Sequence, residues 1–188
     1  MASPDDMARA VSESMAQRTG RTLEEWVAVV EASGLDPLDQ LSVRRWLKQE
    51  HGIAQNSQWA IAFEVAGRHG WVMPTADEFA DQMYAGKKQP LRPLHDQVVA
   101  LAASVGPEAT VEGRATYTPI VHRRQFAAVG PGPRNTVRVG LRFRDAPDDE
   151  RIVPAKGFAQ ATHWTHLVVG DDPGWLEGLL RQAYEQNA

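Results

Sequence analysis

Apolar residues recur at three- and four-residue spacings through the first half of the chain and switch to strict alternation around Val139, so helices precede a sheet. Met7, Val11 and Met15 predict a helix over residues 4–18, ended by Gly20. Thr22 and Glu25 make a capping-box pair ahead of the stripe Leu23, Trp26, Val27 and Val30, and Gly34 marks the stop. A third helix is expected from about Asp39 to His51, burying Leu41, Val43, Trp46 and Leu47 and ending at Gly52. A fourth, from about Ser57 to His69, carries Trp59, Ile61, Phe63 and Val65. The last three helices hold one tryptophan each, and because a buried aromatic removes roughly 150–250 Å² from water, they can share one small core.

Past Trp71, the pair Thr75 and Glu78 repeats the capping-box pattern before a short helix with Phe79, Met83 and Tyr84, and GKKQP (86–90) reads as a boundary. Leu94, Val98, Leu101 and Val105 predict a helix from about Leu91 to Val105, stopped at Gly106-Pro107. Residues 111–122 alternate as one strand, in which Pro119 requires an edge or a bulge. Gln125 to Val129 is a second strand, and GPGPRN (130–135) supplies a wide hairpin connection. Val137, Val139, Leu141 and Phe143 then alternate with Arg138, Gly140, Arg142 and Arg144, giving one core face and one arginine face. After an acidic turn, residues 152–157 are irregular or a short strand. THWTHLVVG from Thr162 is the final strand, and a helix from Gly174 to Gln186 closes the chain. The pattern predicts an α+β fold: a small helical module at 1–70, a short helix and linker at 71–89, and at 90–188 an antiparallel sheet of about four strands flanked by two helices.

Charge sharpens this picture. The stretch from Arg114 to Arg144 holds seven arginines and no carboxylate, while the 188-residue chain has a formal net charge of -4, so removing the stretch's +7 leaves the rest at -11. One account is a solvated polar face on which arginine stems cover apolar surface. The other is a groove for an anion, with Arg114, Arg138 and Arg142 as charge partners, Tyr117 and Trp164 as aromatic walls, and His163 and His166 beside them.

Several classes are excluded. There is no cysteine, hence no disulfide, thiolate nucleophile, iron–sulfur cluster or thiolate zinc site. No run approaches the roughly 18 apolar residues of a membrane span, and the start lacks a basic then apolar signal region, so a cytoplasmic protein with no membrane partner is expected. His163 and His166 point to opposite faces of a strand, and neither a metal nor a cofactor is expected. No GxSxG elbow is present, GPGPRN does not open a helix, and catalytic residues stay unassigned. In the helical module Arg44, Arg45 and Lys48 suggest a helix-turn-helix, but Glu24, Glu25, Glu31 and Glu50 lie close by in sequence. The leading expectation is a non-enzymatic binding or regulatory protein whose arginine face takes a small anionic molecule or an acidic protein surface. The alternatives are a nucleic-acid-associated protein using the same face, and an enzyme pairing Tyr117 with His163 or His166 as acid and base.

The stretches TGRTLEEWVAVVEASG and VRRWLKQEHG, followed by LRPLHDQVVALAASVGPEATVE, ATYTPIVHRRQFAAV, VRVGLRF and LLRQAYE, resemble a bacterial two-part family assembled from two domains of unknown function. The C-terminal module is also similar to the YdhG-like α+β fold, whose members include proteins labelled iron chaperones. The resemblance implies a helical module followed by an α+β module and no established activity. The sequence departs from the family pattern at Arg114, where a lysine is usual, and at HWTH (163–166).

Overall fold

A computed structural model describes residues 14–188. The helix expected over 4–18 lies mostly outside the described residues; residues 14–19 are helical, with Met15 buried. The chain divides into two compact units, one ending at Met73 and one running from Pro74 to Ala188.

In the first unit α1 spans Leu23–Glu31, α2 Gln40–His51 and α3 Gln55–Arg68. The capping box forms as expected: Glu25 N donates to Thr22 Oγ1 (3.2 Å) and Thr22 N to Glu25 Oε2 (2.7 Å), satisfying orphan donors of the first turn. Asp39 caps α2 through Ser42 N (3.0 Å), and Gly52 ends it in the left-handed region at φ 64°. Trp26, Val27, Val30, Val43, Leu47, Ile61 and Val65 form the core. Two expectations fail here. Leu41 is 57% exposed, because it stands two residues from Val43 and therefore on the opposite side of α2. Of the three tryptophans, Trp26 alone is buried; Trp46 and Trp59 are half-buried, and Trp59 takes the Arg44 guanidinium over its ring at 3.4 Å.

The second unit contains α4 (Ala76–Met83), a 3-10 turn (Gly86–Leu91), α5 (Arg92–Ser104), β1 (Thr110–Val111), β2 (Thr118–Val121), β3 (Gln125–Gly132) and β4 (Thr136–Leu141). There follow β5 (Val153–Pro154), β6 (His163–Leu167), a 3-10 turn (Pro173–Leu176) and α6 (Glu177–Gln186). GKKQP forms the first 3-10 turn and leads straight into α5, and α4 contributes Ala80 and Met83 to the core of this unit.

The fold is α+β, with one antiparallel sheet in the order β1-β2-β3-β4-β6-β5. It has six strands where about four were expected, since β1 and β5 are two-residue edge strands too short to leave an alternation. Residues 111–122 do not form one strand: β1 folds back on β2, pairing Thr110 with Val121 and Val111 with Ile120, and a bulge falls between Ile120 and Val121. The wide connection at 130–135 is also corrected. Gly130, Pro131 and Gly132 belong to β3, leaving a tight turn of Pro133, Arg134 and Asn135, the last two at φ 53° and 60°. Helices α5 and α6 pack on one face of the sheet, where Val137, Val139, Leu141 and Phe143 meet Leu94, Val98, Ala102 and Leu180. Among the described residues no helix is long and apolar enough to cross a membrane.

Candidate functional site

The opposite face of the sheet is built on three closely approached glycines, two of them, Gly132 and Gly140, lying against an aromatic ring. A Cβ at Gly130 would stand 3.2 Å from Tyr117 Cβ, one at Gly132 would stand 2.9 Å from His166 Cδ2, and one at Gly140 would stand 2.9 Å from Phe158 Cδ1. Glycine inside a strand marks such close approach. The register places Arg138 between Gly130 on β3 and His166 on β6, and Gly140 opposite Trp164. The loop 155–162 crosses this face with Phe158 and Ala161 over Gly140.

Arg138 is the centre of the arrangement. Its guanidinium carbon lies 4.9 Å from the Phe158 ring centroid and 4.8 Å from that of Trp164, and its Nε donates to His166 Nε2 at 3.2 Å. Cation–π contact with two rings holds the guanidinium plane while leaving its outer N–H groups for another acceptor. No carboxylate among the described residues pairs with Arg138 or Arg142. Burial, and then the neighbouring Arg138 charge, push the His166 imidazole below its ordinary pKa.

The structure brings together most of the residues expected from sequence. Tyr117 reaches the cluster through an edge contact with Phe158 (5.8 Å), and Arg114 donates to its hydroxyl at 3.2 Å. Arg114 is half exposed and lies 3.5 Å from Glu112, just outside the carboxylate-free stretch. Arg142 sits further along the face and donates to Gln160 Oε1 at 2.7 Å. His163 is the exception: it pairs with Leu141 on the helix-covered side and approaches Phe143 (5.8 Å), so it takes no part in the face. No hydrogen bond joins Tyr117 to either histidine; its hydroxyl meets Arg114, and His166 meets Arg138. Arg123, Arg124, Arg134 and Arg144 are exposed in turns or beyond β4, so the seven arginines do not share one surface. Phe158 and Gln160 escaped the sequence reading because an irregular loop carries no periodicity; Gly140, a glycine inside an alternating strand, was the available signal.

A second polar cluster lies beneath the helices. His95 of α5 is 2% exposed; its Nε2 accepts from Thr118 Oγ1 (3.0 Å), and its Nδ1 donates to Asp96 Oδ1 (3.1 Å). Asp96 in turn accepts from Arg92 Nε (2.8 Å), and Arg92 also pairs with Asp77 and Asp81. A shallow cleft of about 200 Å³ opens beside them, walled by Ala76, Ala80, Val99 and Val111. Burial lowers the His95 pKa, partly offset by Asp96, which favours the neutral imidazole. The Thr118 hydroxyl is itself buried, and the Asp96–His95–Thr118 line fastens α5 to β2. His95 was overlooked because it sits on the apolar stripe of its helix, next to Leu94.

Two family models match the chain in tandem, both described as domains of unknown function: DUF4287 over residues 8–65 and DUF5655 over residues 80–187. Neither the curated proteins nor the solved structures contain a significant match. The likeness to the YdhG-like fold remains an expectation from the sequence. The second model covers more than half of the sequence and every residue of the arginine–aromatic cluster, and the chain therefore belongs to the DUF5655 domain family.

Proposed function

We propose that this protein is a non-enzymatic binding or regulatory protein whose second unit binds an anionic group, carried by a small molecule or an acidic protein surface, on the face centred on Arg138. The observation that carries the reading is the posture of Arg138: clasped by Phe158 and Trp164, and free of any carboxylate partner among the described residues. A guanidinium held in place by ring faces loses little entropy when it engages a carboxylate or phosphate in two parallel hydrogen bonds. Tyr117, Trp164 and Phe158 supply apolar walls for the rest of the ligand.

Nucleic acid is the weaker reading for this face. Residues 74–188 contain thirteen lysines and arginines against fourteen aspartates and glutamates, whereas sequence-independent binding to a phosphate backbone draws on a broad excess of positive charge. A thermal-shift screen of mono- and dicarboxylates, phosphorylated metabolites and short DNA, at low and high salt, tests the proposal. A small carboxylate or phosphate should raise the midpoint through mass action, and the shift should vanish in Arg138→Ala/Arg142→Ala. A shift that occurs only with DNA and disappears in high salt would replace this reading with the nucleic-acid one.

A further inference from the structure

We propose that the face takes up one proton at His166 for each anion it binds, the anion then being held jointly by Arg138 and the protonated imidazole; this rests on the anion-binding reading above. A guanidinium has only donors. The 3.2 Å contact between Arg138 Nε and His166 Nε2 therefore requires the lone pair on Nε2, which fixes a neutral imidazole with its proton on Nδ1. Protonating Nε2 would set one N–H against another and place two cations side by side.

An anion reverses that balance. An anion seated beside the pair accepts from the outer N–H groups of Arg138 and from Nε2–H of the protonated ring once that proton has replaced the Arg138 Nε–H contact, converting a repulsive pair into a two-donor clamp. The imidazole Cδ2 lies over the bare backbone of Gly132, with Trp164 on its own strand 5.7 Å from it. The groups facing His166 are Arg138 from β4, Gly132 from β3 with the Thr136 hydroxyl beside it, and Trp164 from β6. Among the described residues no carboxylate pairs with His166, so an incoming anion supplies the missing negative charge. Burial and Arg138 already hold the free imidazole below its ordinary pKa, and a bound anion moves it up.

By linkage, affinity then rises as pH falls, by up to about tenfold per pH unit between the free and the bound pKa of His166, and is flat above and below that window. Sulfate is the probe, because its charge is constant over the range of about pH 5–8 in which histidine titrates. Calorimetric titrations of the full chain in buffers of different ionisation heat give both affinity and protons taken up. Imidazole 15N shifts report the tautomer of His166 directly. The wild type should bind sulfate more tightly at about pH 5.5 than at 7.5, with proton uptake approaching one, while His166→Gln binds with little pH dependence and Arg138→Met does not bind. Free protein should show the Nδ1–H tautomer. Arg138-dependent binding without proton uptake, or an Nε2–H tautomer in the free protein, would overturn the proton coupling alone. Sulfate that fails to bind, or binds Arg138→Met equally well, would overturn the coupling together with the anion-binding face.

Discussion

Gly140→Ala separates the architecture of this face from a generic strand surface by the sign of its effect. At a backbone position that alanine can adopt, replacing glycine stabilises a protein by about 0.4–1 kcal/mol, because the unfolded chain loses freedom. Gly140 has no left-handed φ, so nothing in its own conformation opposes the change. Its surroundings do. The added Cβ would stand 2.8 Å from Ala161 Cβ and 2.9 Å from the Phe158 ring, well inside van der Waals contact. The loop carrying both is pinned at its ends: Ala155 N donates to Thr162 O (2.8 Å), Thr162 N to Leu141 O (2.9 Å) and Phe143 N to Thr162 Oγ1 (2.9 Å). Relief must come from lifting Phe158 off Arg138 or from splaying β4, and overpacking of this kind costs about 1–3 kcal/mol. Gly178, in α6 with nothing within 4 Å of its would-be Cβ, is the control and should gain roughly 0.5–1 kcal/mol on changing to alanine. Hydrogen exchange at the Val139 and Leu141 amides, together with denaturant midpoints, measures both. A Gly140→Ala protein as stable as the wild type, or more so, would refute the packing of the loop onto the sheet.

Burial lowers the His95 pKa, so the unfolded chain takes up a proton there at a higher pH than the folded chain does, and stability falls as pH drops below about 6.5, by up to about 1.4 kcal/mol per unit. Urea midpoints at about pH 5.5 and 7.5 should show this decline, and it should shrink in His95→Gln; an unchanged decline would mean that His95 is not held neutral by burial. Thr22→Ala removes the capping box and should cost the helical unit about 0.5–2 kcal/mol, read from its thermal midpoint, with no change in sulfate affinity. Asn135→Val forces a β-branched residue into φ 60° at the hairpin turn and should cost about 1–2 kcal/mol, whereas Asn135→Gly should be neutral or mildly stabilising; equal stability of the two variants would contradict the left-handed turn.

The sequence was most legible where one physical signal acted alone. Thr22 with Glu25 and Thr75 with Glu78 gave their helix starts because capping is a local hydrogen-bond exchange, and both boxes form. The alternation from Val137 to Phe143 identified both faces of β4, since a half-buried strand has one period only. Legibility failed where tertiary packing decided. Gly130 and Gly132 looked like turn residues, yet they lie in a strand closely approached by Tyr117 Cβ and the His166 ring, and nothing local distinguishes a glycine chosen for a turn from one chosen for a close neighbour above it. Arg138 and His166 were both selected as site residues, but their hydrogen bond spans 28 residues and depends on a register that only the folded sheet supplies. Four of the seven arginines carried the charge signal without sharing the site, because net charge records composition rather than direction.

The central claim is that Arg138, clasped by two rings, is the receptor for an anion. It is tested most directly by titrating the full chain with a short glutamate-rich peptide while following the side-chain N–H resonances of Arg138 Nε and Trp164 Nε1. The account predicts saturable shifts centred on Arg138, His166 and Trp164 that are absent in Arg138→Met. Silence at Arg138, or equal shifts at the exposed Arg123, Arg124, Arg134 and Arg144, would contradict it.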